Sequence, residues 1–379
     1  MKIGLNLLHV RPEIGGAWNY IGSIVETLRL LDPEYTFVAY CTALSAPMVP
    51  ADPRFTVRLI ELGGSSQLKR VAWEQCMLPS AARRDGIDCM HWVANNGPLF
   101  GAIPAVATMH DFLFFERPAE VPLSKRLYLR QMAAHACRHA AVLAPVSEAT
   151  AQTAIRLLGV ERERIVVISH PLPDHFRPAP AQEVDALRER FALPPRFWLY
   201  VAHPYRHKNH ARLLEAYRSL KKSGQSPWPL VLRADQRDES AAIDALIAEY
   251  GLSHDVMRLG RLSTQDMTAL YSAATALIFP SLYEGGGIPV LEAMACGCPV
   301  AASDISTTRE FAGSAALTFD PMNAESIEAA MRELAGKPAL REQLAQRGLE
   351  KARQYSSSQT AARLIEAYSQ ATRKRRKAG

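Results

Sequence analysis

The stretch "SLYEGGGIPVLEAMACGCPV", Ser281–Val300, decides how the rest of the chain is read. The apolar run TALIFPS (275–281) leads into it and has the length of a buried strand. Gly285, Gly286 and Gly287 follow, opening backbone conformations that side chains disfavour. Pro289 suits the first turn of a helix and Gly297 its end. The result is strand, glycine loop, helix, strand, the repeating unit of α/β proteins with parallel sheets. A helix start behind such a loop offers backbone N–H groups and the positive end of the helix dipole, a setting for phosphate. Glu284 precedes the glycines, and Glu292 lies about one turn into the helix. Carboxylates accept hydrogen bonds from hydroxyls, so the two can grip two sugar rings on either side of a diphosphate. Taken alone, the stretch reads equally well as a loop with a helix-capping glutamate.

Working outward, the same alternation fills both halves of the chain. KIGLNLL (2–8) reads as a strand, followed by the glycine-containing loop PEIGGAWN and the amphipathic YIGSIVETLRLL (20–31). FTVRLIEL (55–62), IDCMHWV (87–93), AVATMHD (105–111) and AAVLAPVS (140–147) read as further strands, and RIVVISH (164–170) closes this half. A stretch rich in proline and charge then marks a boundary. The second series runs through FWLYVAH (197–203), PLVLRAD (229–235), VMRLGRL (256–262), the opening stretch, PVAASD (299–304) and AALTFD (315–320). The expected domains are 1–172 (N-terminal), 173–195 (linker), 196–355 (C-terminal) and 356–379 (a helix and basic tail, the helix packing back on the N-terminal domain). Ligands of such sheets sit beyond the carboxyl ends of the strands.

Composition narrows the classes. The chain has 379 residues, 48% of them apolar, enough for two cores. It holds no run of 18 apolar residues, so no membrane-spanning helix is expected. The N-terminus reads as a first strand and not as a signal peptide. Cys41, Cys76, Cys89, Cys137, Cys296 and Cys298 form no zinc spacing, which suits a reduced, cytoplasmic protein. The net charge is +6, and Arg373–Lys377 supply five of the basic residues. Nucleic acid is not an expected partner, because no recognition motif or stacking pattern is present. An anionic membrane surface at the inner face is one, through this tail and through the segment 120–141 with Lys125, Arg126, Arg130 and Arg138. A solvated, frayed end accounts for the tail as well, and an ordinary amphipathic helix for that segment.

Other residues fall where a ligand would be met. YVAHPYRHKNH (200–210) follows the first strand of the second half, and its Arg206 and Lys208 can neutralise a diphosphate. Gly15 and Gly16 form a second glycine loop after the first strand. His110 and Asp111 stand at a strand end, where His110 can accept or pass a proton. No strand–GxGxxG–helix occurs, which argues against a nicotinamide enzyme. A sugar-nucleotide epimerase of similar fold would need more acid/base residues, and a catalytically dead binding subunit would not need these.

Together these motifs resemble the family 4 retaining glycosyltransferases, with EGGGIPVLEAMACGCPV resembling the E-x7-E signature. VATMHDFLFFERP, APVSEATAQTAI, YVAHPYRHKNHARLLEAY, RLGRLSTQDMTALYSAATALIFPSLYEG and STTREFAGSAALTFDP extend the likeness along nearly the whole chain. The resemblance implies the GT-B fold, α/β with two Rossmann-like domains facing each other across a cleft, N-terminal for the acceptor and C-terminal for a nucleotide-sugar. It implies that Lys208 and Arg206 hold the diphosphate and that Glu284 meets the transferred sugar. Gly287 and Ile288 amides would face phosphate or sugar, Glu292 the ribose hydroxyls, and Arg261 and Leu262 the base. His110 would sit by the sugar and the acceptor, and Gly16 would let the N-terminal loop close on phosphate. It also implies retention at the anomeric carbon. The chain departs from the family pattern at Gly286, often Phe there, and at His207, often Arg. Ala202-His203 and Ser169-His170-Pro171 also differ from it. With no Asp-x-Asp, the leaving charge falls to Lys208, Arg206 and the helix N-terminus, so neither metal nor cofactor is expected. Overall similarity to bacterial mannosyltransferases of surface polysaccharide assembly suggests mannose from GDP-mannose, passed to a saccharide or lipid-linked oligosaccharide. UDP-glucose, UDP-galactose and UDP-N-acetylglucosamine stay open as donors.

Overall fold

The computed structural model describes residues 1–11, 16–62, 67–99, 103–224, 228–235 and 240–378; the side chains of 16, 17 and 374–378 lie outside that description. The chain divides into two units. The first comprises Met1–Pro171 with Tyr355–Gly379, the second Leu172–Gln354.

The first unit holds β1 (Lys2–Asn6), β2 (Thr36–Cys41), β3 (Phe55–Leu59), β4 (Cys89–Trp92), β5 (Ala105–Met109) and β6 (Val142–Pro145). They form one sheet in the order β3-β2-β1-β4-β5-β6, every pairing parallel. The second unit holds β7 (Trp198–Val201), β8 (Leu230–Arg233), β9 (Val256–Leu259), β10 (Ala276–Phe279), β11 (Val300–Ser303) and β12 (Ala316–Phe319). Its order is β12-β11-β10-β7-β8-β9, also parallel throughout. Numbered from its own first strand, each sheet runs 3-2-1-4-5-6, the doubly wound Rossmann order. The order reverses between β1 and β4 in one unit and between β7 and β10 in the other, and there the loops part to leave a crevice.

The central strands are apolar because helices cover both faces of the sheet. All four residues of β10 are buried, and Trp198, Tyr200 and Phe279 are among the largest side chains with no exposure. The edge strand β3 is the opposite case, with Val57 and Leu59 exposed. Three features go beyond the sequence reading. The strand Thr36–Cys41 was not anticipated, although its near-unbroken buried apolar run supports it. RIVVISH joins the sheet only through a bridge from Ile165 to Leu143, with Val166 and Ile168 N–H donating to Leu143 and Pro145 carbonyls. The segment 173–195 is not a free linker. It carries the helix Ala181–Phe191, which belongs to the second unit, buries Leu187, and pairs Arg190 with Asp266. Prolines 178 and 180 gave it a linker-like composition, yet Pro180 caps that helix.

The last helix, Ser357–Ala378, belongs to the first unit. Tyr368 is fully buried there, its hydroxyl 2.9 Å from His91 Nδ1. The tail side chains from Lys374 to Lys377, expected as a basic patch, lie outside the described residues. In the segment 120–141 the helix spans Leu123–His139. Arg126 and Arg130 are engaged internally, donating to the carbonyls of Pro118 and Phe114, while Lys125 and Arg138 stay exposed with Leu123 and Leu127. Among the described residues no helix is long and apolar enough to cross a membrane.

Candidate active site

In the second unit the loops after β7 and β10 meet at the sheet's crossing point. After β7 the chain makes a short 3-10 turn, Arg206–Lys208, and leaves it through Asn209 at φ 62°. Asparagine tolerates this left-handed conformation better than most residues. Here it also donates from Nδ2 to the carbonyls of Pro280 at 3.0 Å and Pro321 at 2.8 Å. Leu282 N–H donates to His207 carbonyl at 2.7 Å, and Tyr200 hydroxyl donates to Lys208 carbonyl. The two loops are thereby fastened to each other, and Lys208 Nζ reaches Glu284 Oε1 at 2.6 Å. Glu284 is fixed from behind, since Thr307 hydroxyl donates to its carbonyl at 2.7 Å.

The helix Ile288–Ala295 begins at Gly287, whose φ of 55° is the turn the glycine run was expected to supply. A side chain there would strain the backbone and bring a Cβ within 3.2 Å of the Phe311 ring. Glu292 is buried in this helix and accepts a 2.8 Å hydrogen bond from Tyr271 hydroxyl. Burial pushes its carboxyl up to about 7, against the opposing pull of the Tyr271 hydrogen bond and the nearby Arg233 charge. The site therefore combines a lysine–carboxylate pair, the start of a helix and a second carboxylate near neutrality. That set can neutralise a diphosphate and accept hydrogen bonds from hydroxyls on both sides of it.

Not every expected residue joins this cluster directly. Arg206 is exposed on the turn beside Lys208, and Arg261 is exposed after β9 with Leu262 partly buried. Gly16 is the first residue of the helix Gly16–Thr27 in the first unit, and Gly15 lies outside the described residues.

His110 follows β5 in the first unit. Its Nε2 is 2.8 Å from Val93 carbonyl, which can only accept, so Nε2 carries the proton and Nδ1 is left as an acceptor. Its backbone N–H donates to Asn95 Oδ1 at 2.6 Å, and the Tyr20 ring meets it edge-on at 4.7 Å. Burial holds the imidazole pKa below its usual value despite the Val93 bond and the Asp111 charge. His110 is thus a neutral hydrogen-bonding group at pH 7.

Four residues were not named as site residues from the sequence, although the loops around 233–238 and 259–263 were expected to select the base. Tyr271 and Arg233 flank Glu292 from other elements. Asn95 has φ 24°, uncommon for a side-chain-bearing residue. His9, just beyond β1, has both ring nitrogens buried with no hydrogen-bond partner among the described residues. Only Asn95 carries a local signal, the turn-prone pair Asn95-Asn96. Among the described residues no three His, Cys, Asp or Glu side chains converge as a metal cluster.

Comparison with known proteins gives the same reading along the chain. Residues 183–351 match the model of Glycosyl transferases group 1, and residues 14–175 that of Glycosyltransferase Family 4. O-antigen chain mannosyltransferase B of Escherichia coli is 29% identical over 265 residues, 70% of each chain. The serotype-specific mannosyltransferase WbdA of Escherichia coli is 28% identical over 270 residues, 69% of this chain, but the match spans only 33% of that protein. The crystal structure of Anabaena HepE in complex with UDP and glucose superposes with a TM-score of 0.77 at 19% identity, covering 97% of this chain and 99% of the other. Two parallel Rossmann-type sheets, the E-x7-E loop and helix, and matches on both sides of the unit boundary place this chain among the family 4 glycosyltransferases, enzymes of the GT-B fold.

Proposed function

We propose that this glycosyltransferase moves mannose from GDP-mannose to a saccharide or lipid-linked oligosaccharide, with retention at the anomeric carbon and without a metal ion. The observation that carries the reading is the Lys208–Glu284 pair, 2.6 Å apart where a helix begins at the crossing point of the sheet. The mannose assignment is supported by the mannosyltransferases to which the chain is similar.

Donor arrival exchanges partners within this pair. The diphosphate takes Lys208 and the amides of Gly287 and Ile288, with Arg206 at the rim. Glu284, released from Lys208, accepts hydrogen bonds from the hydroxyls of the sugar. Glu292 accepts from the ribose hydroxyls, and Arg261 and Leu262 lie toward the base. In the reaction the bond from the anomeric carbon to the phosphate oxygen breaks, and a bond to the acceptor oxygen forms on the same face. The acceptor proton passes to the departing phosphate oxygen. Lys208 and the helix start stabilise the charge that grows there, the term that is usually largest in catalysis. His110, through Nδ1, accepts from a hydroxyl of the sugar or the acceptor. The exposed Lys125 and Arg138 with Leu123 and Leu127 offer a place for an anionic membrane surface at the cytoplasmic face.

Transfer from GDP-mannose, UDP-glucose, UDP-galactose and UDP-N-acetylglucosamine to an oligosaccharide panel, run with and without EDTA, tests the reading. Mannosyl transfer that persists in EDTA and gives an α-linked product supports it. Transfer only from a UDP-sugar overturns the donor, a β-linked product overturns retention, and a mannosylated Glu284 in trapped enzyme overturns same-face displacement.

A further inference from the structure

We propose that Arg233 and Asp235, the charged pair at the end of β8, read the base of the donor and select guanine. Arg233 closes a strand whose first three residues, Leu230–Leu232, are buried. Its side chain is only 17% exposed, and Nη2 lies 3.3 Å from Asp235 Oδ1. That contact is an ion pair without hydrogen-bond geometry, and the Asp235 side chain is 37% exposed. Asp235 Oδ1 and Arg233 Nε are both buried polar atoms with no hydrogen-bond partner among the described residues. Leaving such atoms unsatisfied is costly, more so for charged groups. A ligand that supplies the missing partners removes that cost.

The position of the pair indicates which part of a ligand this is. The inference rests on the donor site proposed above, with the diphosphate at β7 and β10 and the ribose at Glu292. The next strand past β7 is β8, and the Arg233 charge is felt by both Glu292 and Tyr271. A base joined to that ribose comes within reach of the end of β8. Guanine offers two acceptors, O6 and N7, to a guanidinium. Beside O6 it offers two donors, N1–H and the 2-amino group, to a carboxylate. An arginine and an aspartate side by side fit these neighbouring edges together. Uracil has one N–H between two carbonyls, and adenine has an amino group where guanine has O6. Neither matches both charges, and a site built to hydrogen-bond one base rejects those that leave its groups unpaired.

Isothermal titration of GDP, inosine diphosphate, 7-deaza-GDP, UDP and ADP into the full chain tests this. Inosine diphosphate lacks the 2-amino group and 7-deaza-GDP lacks N7. GDP is expected to bind about 5- to 100-fold tighter than UDP or ADP, the range of a good bidentate base contact. Asp235→Asn should erase the preference for GDP over inosine diphosphate, and Arg233→Leu the preference for GDP over 7-deaza-GDP, each read as a ratio of affinities within the variant, because loss of the Arg233 charge beside Glu292 weakens every nucleotide alike. If Arg233→Leu does not fold, equal affinity of the parent protein for GDP and its two analogues still overturns the proposal. Tightest binding of UDP, lost in Glu292→Gln, overturns base selection and leaves the donor site standing. Nucleotide binding that is indifferent to Glu292→Gln overturns the donor site, and this inference with it.

Discussion

Replacing Glu292 by Gln is expected to stabilise the ligand-free protein at alkaline pH while weakening its hold on the donor. The Glu292 carboxyl titrates near 7, against 4.5 for the ordinary group, because burial disfavours its charged form. The folded state therefore holds a proton between these values that the unfolded state has released. Stability falls as pH rises wherever the native state binds more protons. Glu292 thus costs nothing below about pH 4.5, its cost grows through about pH 7, and above that the cost is constant. A shift of some 2.5 units is worth about 3 kcal/mol at 1.36 kcal/mol per unit. Gln has the same shape, keeps an oxygen to accept from Tyr271 and carries no charge. Urea denaturation of parent and Glu292→Gln at pH 5, 6, 7 and 8 reads the effect, and the difference at each pH cancels every other titrating group. The variant should lie within about 1 kcal/mol of the parent at pH 5 and exceed it by about 3 kcal/mol at pH 8. Donor affinity moves the other way, because only the carboxylate can accept from both ribose hydroxyls. In the parent it should fall up to tenfold per unit as pH drops below 7, and in the variant it should be weak and flat. A difference in stability that stays constant from pH 5 to pH 8 would refute the reasoning, for it would mean that Glu292 is already ionised throughout.

Four other outcomes follow from the same geometry. Lys208→Ala removes the cation that meets the leaving diphosphate and should lower kcat about 10²- to 10³-fold in a steady-state transfer assay, the range for loss of one charge-stabilising donor. Asn209→Ala deletes two hydrogen bonds to carbonyls and puts a residue less tolerant of the left-handed region at φ 62°, so urea titration should show a loss of about 2–3 kcal/mol; Asn209→Gly should recover only the backbone part. Gly287→Ala forces Phe311 aside and strains the turn, with about 1–2 kcal/mol lost in the same assay and a raised KM for the donor. The double change Lys125→Gln with Arg138→Gln should weaken sedimentation with vesicles rich in phosphatidylglycerol by about 10- to 30-fold, at roughly 1 kcal/mol per cation; unchanged sedimentation would remove this helix from the membrane reading.

The α/β character and the E-x7-E site were legible because their signals are local. Glycine and proline punctuate the loop at 285–289, and short apolar runs mark the strands on either side. What joins distant parts was not legible. Lys208 and Glu284 are 76 residues apart, and only the strand order, which brings β7 beside β10, makes them partners. Tyr271 and Arg233 reach Glu292 from a helix and a strand that no local pattern connects to it. The helix within the segment 173–195 was not legible for a related reason. The segment's prolines and charges are countable in the sequence, but the burial of Leu187 against the second unit is not.

The two units place their polar residues by one rule. In each, polar residues stand at or just beyond the carboxyl ends of strands: Asn6 and His9 at β1, His110 at β5, Lys208 at β7 and Arg233 at β8. Burial acts on the titratable ones in a single direction, holding His110 neutral and drawing Glu292 toward its protonated form. Holding His110 and Glu292 toward their neutral forms costs stability at a pH where the unfolded Glu292 is ionised. The Glu292 carboxyl serves the donor in its charged form and the fold in its neutral one, and for that reason Glu292→Gln, not a change elsewhere in the core, should separate stability from donor affinity.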